Sequence, residues 1–227
     1  LANLMKLEWR KLKRLNIVGE YAVYVAVMLF LPMLFARSVN ADFGQDYATI
    51  TGLIVSMHLS YVLFGASLIN QVVIDEFRNR TISLSYGYPI PRRRLFLAKA
   101  LLISLLVFAG TLLSFVLVGV STLLLDESFG FIGEELTTGA VAGYVAKAVL
   151  HSAAVAVISH IPLFVFGVWK RATIPAVLIA IFLAQFQNLS PLLGLSLDPV
   201  LTTAALCLLG LLSAFAAISA IERFGDA

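Results

Sequence analysis

Cysteine and charge are both scarce in this sequence. Cys207 is the single cysteine, so no disulfide can form within the chain, which excludes a disulfide-stapled secreted module. Charged residues make up only 13% of the 227, against about 25% in ordinary soluble proteins. A soluble domain of this length could not cover its core with so few. A soluble enzyme and a disordered tail are excluded on that ground. What is present instead is hydrocarbon: 60% of the residues are hydrophobic and the mean hydropathy is +0.97. The chain therefore reads as one integral membrane domain over residues 1–227, all-α, because a spanning segment must satisfy its own backbone polar groups.

A helix crossing the hydrocarbon core needs about 20 mainly apolar residues. Six stretches meet or approach this: Ile17–Ala36, Ala48–Ile74, Leu95–Leu125, Ala140–Val168, Ala172–Gln187 and Val200–Ile221. The third is long enough to protrude, and Lys99 near its start fits such a protruding end. The fifth is short and runs into Asn188, Pro191 and Gly194, so 188–199 is expected to form a re-entrant or surface segment.

The few charges are sorted. The flanks 1–16, 75–99, 169–171 and 222–227 carry fourteen of the 16 basic residues and five of the 13 acids; with Glu20, near the start of the first stretch, counted on the same side, the balance is +8. The opposite side has two basic and seven acidic residues, a balance of −5. The positive-inside rule then places both termini in the cytoplasm. The basic N-terminal region lacks a small-residue cleavage site after it, so no removable signal peptide is expected.

Residues 1–16 are too charged to span. On a helical wheel Leu1, Leu4, Met5, Trp9, Leu12 and Leu15 share one face, and Lys6, Arg10, Lys13 and Arg14 the other. This is the pattern of a basic amphipathic helix lying in the interface, with Trp9 as an anchor. Glu8 falls within the apolar face and needs a partner there. Lys11, three residues on, is the basic candidate within the helix. Pinning the N-terminus inside and acting as an elbow that transmits motion both fit this segment.

The loop 75–94 begins Asp75, Glu76, Phe77, Arg78, Asn79 and ends in Arg92–Arg94. Phe77, Thr81, Leu84 and Tyr88 share one face of a short helix that Gly87, Pro89 and Pro91 terminate. Such an apolar-aromatic face seeks a groove on a partner, while Arg92–Arg94 suit anionic headgroups.

The order Glu76, Phe77, Arg80, Thr81, then Tyr88, Pro89 and Arg92, followed by a basic-capped apolar span, resembles permease subunits of ABC-2 type transporters. The N-terminal segment Leu7–Leu12, including Glu8, Trp9, Arg10 and Lys11, and the six-span layout with both ends inside resemble them too. Arg80 stands where glycine is common in that family. The resemblance implies a dimer of six-span subunits, the partner being identical or homologous. Each subunit would dock a separate ATPase through a coupling helix made here from Asp75, Glu76, Phe77, Arg78, Asn79, Arg80, Thr81 and Leu84. ATP and Mg would be used by that ATPase and no cofactor bound by this chain, which has no Gly-x-x-x-x-Gly-Lys-Ser/Thr loop. A bacterial plasma membrane, lipids as surroundings and no nucleic-acid partner are expected. Small permeases of this kind include exporters of peptides, lantibiotics and phenol-soluble modulins.

Polar groups inside spans are functional candidates by default. Asn70 and Gln71, with Gln185, Gln187 and Asn188, could line a translocation path, and helix–helix packing explains them equally well. His58, His151 and His160 are too scattered to suggest a metal site. Gly110, Ser114 and Gly119, with Ala142–Ala148 and Ala153–Ala156, allow close helix approach. An ion-driven carrier would bury a carboxylate near the midplane, and an intramembrane enzyme would cluster nucleophile and base. Neither pattern is visible.

Overall fold

The computed structural model describes residues 1–38, 47–79, 91–129, 132, 136–189 and 198–224. Every regular element among them is helical. The order is α1 (Ala2–Lys11), α2 (Arg14–Ser38), α3 (Tyr47–His58), α4 (Tyr61–Ile69), a π-helical stretch Asn70–Ile74, and α5 (Asp75–Arg78). Then come α6 (Arg92–Phe129), α7 (Thr138–Ile158), a second π-helical stretch Leu163–Trp169, α8 (Thr173–Leu189) and α9 (Pro199–Phe224). Four runs among the described residues are long and apolar enough to cross a membrane: Tyr47–Arg78, Arg92–Ser128, Thr138–Trp169 and Pro199–Ile221.

α6 is the axis of the bundle. Its 38 residues extend about 57 Å at 1.5 Å per residue, and α1, α2, α4, α7 and α9 all pack on it. Its composition is apolar all round, yet its burial is striped. Phe96, Ala100, Ile103, Val107, Phe115 and Val118 are buried, while Leu101, Leu105, Leu113, Val116 and Leu124 are exposed. Hydropathy cannot separate the two faces because lipid and protein core are equally apolar. α4 is the most enclosed element, with seven of its nine residues buried.

Two of the six apolar stretches, expected as continuous helices, are broken. In the first, Ser60 Oγ donates to Met57 O at 2.7 Å, the His58 ring Nδ1 lies 2.7 Å from Ile54 O, and i→i−3 bonds tighten the turn. In the second, Ser159 Oγ donates to Ala156 O at 2.8 Å and the His160 ring Nδ1 lies 2.8 Å from the same carbonyl. Pro162 follows and supplies no N–H. Back-bonding hydroxyls bend helices, and proline removes a rung.

The neighbours accommodate the second break. A Cβ on Gly65 would stand 2.3 Å from Ser159 Cβ, and one on Gly210 2.3 Å from Val157 O, so only glycine lets α4 and α9 come this close. One turn beyond Gly210, Ser213 Oγ donates to Ile161 O at 2.9 Å and accepts from Phe164 N at 3.1 Å. A side chain of α9 thus completes the interrupted ladder, as an apolar surrounding requires.

The amphipathic segment ends earlier than expected. α1 stops at Lys11 and Leu12 is extended (φ −73°, ψ 145°). Leu15 therefore belongs to α2 and is 88% exposed, not on the half-buried face with Leu4 and Met5. At the other end, Asp75–Arg78 is the last turn of the helical run from Tyr61. The remainder of 75–94 up to Ile90, with Arg80, Thr81, Leu84, Tyr88 and Pro89, lies outside the described residues, as does 190–197 of the 188–199 segment.

Candidate functional site

α1, α5 and α6 meet at one ionic cluster. Glu8 of α1 is 3% exposed and Lys99 of α6 2%. The Lys99 ammonium uses all three of its donors: to Glu8 Oε2 at 2.5 Å, to Glu76 Oε1 at 2.8 Å and to Val72 O of the first π-helical stretch at 3.1 Å. Lys11 donates to Glu8 Oε1 at 2.6 Å and pairs with Glu76 Oε1 at 3.6 Å. Two carboxylates and two ammonium groups thus form a charge-balanced knot. Burial opposes the charged form of Lys11, but its hydrogen bond to Glu8 and the nearby charge of Glu76 outweigh it, and its pKa lies above the ordinary lysine value.

The expectation that Glu8 requires Lys11 is met, but Lys11 is the lesser partner because it is half in solvent. Lys99 is the correction. It does not protrude at a helix end but is enclosed where α1 covers the start of α6. A lone cation five residues past the Arg92–Arg94 cap, in an otherwise apolar run, was the available signal. A lone anion in the apolar face of α1 was its complement.

The adjoining residue is held from the opposite side. Phe77 is buried, and the Arg171 guanidinium carbon lies 4.1 Å from its ring centroid, a cation–π contact. Arg171 adopts φ +50°, a left-handed conformation unusual for a side chain of this size. Phe77 is therefore not on an outward face waiting for a partner groove. Its ring packs inside the subunit, and only Arg78 and Asn79 of the last described turn are exposed. Asp75 is half-buried. In α1, Met5 and Trp9 are half-buried, Arg10 is exposed, and the Arg14 guanidinium lies 5.6 Å from the Trp9 ring centroid.

Two of the candidate path residues, Asn70 and Gln71, bond helices to one another. Gln71 donates to Glu20 Oε2 at 3.1 Å, and Ser67 Oγ donates to the same oxygen at 2.8 Å, tying α4 to α2. Asn70 Oδ1 accepts from Thr173 Oγ1 at 2.6 Å, joining the π-helical stretch to α8. Gln185 is exposed on α8. Gln187 and Asn188 lie in the last turn of α8, and their side chains lie outside the described residues. Asn70 and Gln71 thus each make a bond between helices. His160 does likewise, its Nε2 3.2 Å from Ala100 O, and His58 stacks on Phe115 with centroids 3.8 Å apart. Among the described residues no group of three or more His, Cys, Asp or Glu is arranged to hold a metal ion.

Long apolar helices around a central one, with buried ionic groups gathered where α1, α5 and α6 meet, define a helical membrane protein. The chain belongs to the ABC-2 transporter family: the family model described as ABC-2 family transporter protein matches residues 4–188. It is also similar to the uncharacterized protein YcbO of Bacillus subtilis (strain 168), 31% identical over 229 residues that cover 97% of this chain and 98% of the relative. No solved structure matches it. Membership makes the chain a membrane component of an ABC transporter, not its ATPase, and implies an ABC ATPase as partner.

Proposed function

We propose that this chain is the permease subunit of an ABC exporter. It has six spans with both ends cytoplasmic, pairs with an identical or homologous permease, and docks an ATPase through residues 75–94. The cargo is an amphipathic or hydrophobic peptide, the class carried by the small permeases it resembles, and the setting is a bacterial plasma membrane.

The observation that carries the coupling role is the Glu8–Lys99–Glu76 cluster. Glu76 stands at the root of the 75–94 loop. Lys99 bonds it to α6 and, through Glu8, to the elbow helix α1. Arg171 clamps the next residue, Phe77. A push delivered to the loop by a closing ATPase reaches three helices through short, buried contacts and is not dissipated in a flexible hinge. Buried charge pairs are geometrically demanding, which suits a joint that must keep its shape under load.

The test uses the complex purified in detergent with its ATPase and then reconstituted. Glu76→Lys and Phe77→Ala should weaken assembly with the ATPase. Lys99→Met should leave basal ATP turnover in place but uncouple it from peptide accumulation in vesicles. Undiminished assembly, turnover and accumulation in all three variants would refute the coupling role.

A further inference from the structure

A cleft of about 710 Å³ opens where α1, the start of α6 and the end of α9 come together. Its wall is apolar, from Leu1, Leu4, Pro91, Leu97 and Ile218, and its rim carries Arg93 and Arg94. This is the division of an amphiphile: a place for an anion at one end and hydrocarbon at the other. The apolar side continues away from the arginines. On α6, Leu101 and Leu105 follow Leu97 at four-residue spacing, and both are exposed. On α9, Phe215 and Leu211 precede Ile218 on the same face, and both are exposed. The two stripes run from the cleft along helices that pack on each other. Clefts of roughly 300–1,000 Å³ are the size that encloses a small ligand, enough for a headgroup and the first carbons of its chains. The rest of the chains would lie along the stripes.

We propose that this cleft is a binding site for an anionic phospholipid of the cytoplasmic leaflet, its phosphate on Arg93 and Arg94 and its acyl chains along Leu97–Leu105 and Ile218–Leu211. The lipid wedges between the elbow helix and the last helix. The leaflet follows from the orientation proposed above; the headgroup selectivity follows from the cleft itself.

Native mass spectrometry of the full chain, released from detergent after exchange with dioleoylphosphatidylglycerol or dioleoylphosphatidylcholine, tests this. The wild type should retain the anionic lipid over the zwitterionic one. Arg93→Gln/Arg94→Gln should lower that retention about tenfold or more, since each surface arginine contributes on the order of 1 kcal/mol toward an anionic lipid. Leu4→Trp, which fills the apolar wall, should lower retention of the lipid with both arginines intact. Lys13→Gln/Arg14→Gln makes the same change of charge away from the cleft and should leave retention within about twofold of wild type. Equal losses in the control pair, or unchanged retention in the arginine and tryptophan variants, would overturn the proposal. So would variants that disrupt assembly with a protein partner while retaining the lipid, because the cleft would then be a protein contact. Retention in detergent does not depend on which side of the membrane the cleft faces, so an error in orientation would leave the result unchanged.

Discussion

Lys99 shows how one residue is made indispensable by what surrounds it. Its three donors are matched by two carboxylates and a carbonyl, and it is almost wholly enclosed. Its removal leaves Glu8 with only Lys11, and Glu76 with a longer ion pair. Breaking a buried pair from one side costs about 3–5 kcal/mol, because the remaining charge stays desolvated. Lys99→Met should therefore lower the thermal unfolding midpoint of the purified chain markedly. Lys11→Met, which removes an ammonium already 44% exposed, should cost under about 1 kcal/mol. Adding Glu8→Leu to Lys99→Met should recover part of the loss, since both buried charges of that pair are then gone. Equal midpoints for Lys99→Met and Lys11→Met would show that the cluster is solvated, contrary to its burial.

At the scale of the element, the long apolar stretches were legible and their interruptions were not. Each of the six apolar stretches falls on helix among the described residues, and four of the runs are long and apolar enough to cross a membrane, because a run of Leu, Val, Ala and Phe in lipid has no alternative to a helix. Hydropathy did not locate the breaks at Ser60 and Ser159. A serine inside an apolar run is equally compatible with an unbroken helix, and at Ser159 it is the facing Gly65 and Gly210 that leave room for the bend. For the same reason Asn70 and Gln71 stood out in sequence as candidates for a path, and the packing roles of His58 and His160 had no visible partners. Their partners, Thr173, Glu20, Ser114 and Ala100 O, lie more than twenty residues away in the chain and could not be read off. The break in the run Thr138–Trp169 yields a direct prediction. Ser213→Ala leaves Ile161 O and Phe164 N without their bridging hydroxyl, at a cost of about 1–3 kcal/mol. Hydrogen exchange should accelerate at Phe164 and its neighbours while α6 stays protected. Unchanged exchange there would mean that the broken ladder repairs itself without α9.

At the scale of the whole molecule, the sorted charges and the helix lengths make separate claims that one experiment joins. The charge balance, +8 on one set of flanks and −5 on the other, assigns Lys13 and Lys170 to the cytoplasm and Glu127 and Asp198 to the outside. Between Lys13 and Glu127 stand α2, the run Tyr47–Arg78 and α6, three crossings. Between Glu127 and Lys170 stands one, the broken run Thr138–Trp169. Between Lys170 and Asp198 stands only α8, whose 17 residues reach about 26 Å, short of a ~30 Å hydrocarbon core. A short helix can still cross where the bilayer thins around it, and the charges on its two flanks argue that it does. With Cys207 replaced by serine, single cysteines at positions 13, 127, 170 and 198 can be probed in intact cells with a membrane-impermeant maleimide. The substitutions Glu127→Cys and Asp198→Cys should label, and Lys13→Cys and Lys170→Cys should label only after the membrane is opened. Labelling of Lys170→Cys and Asp198→Cys from the same side would make α8 re-entrant, reduce the crossings to five and move the end of α9 outside. In that case length would have outweighed charge in setting the topology.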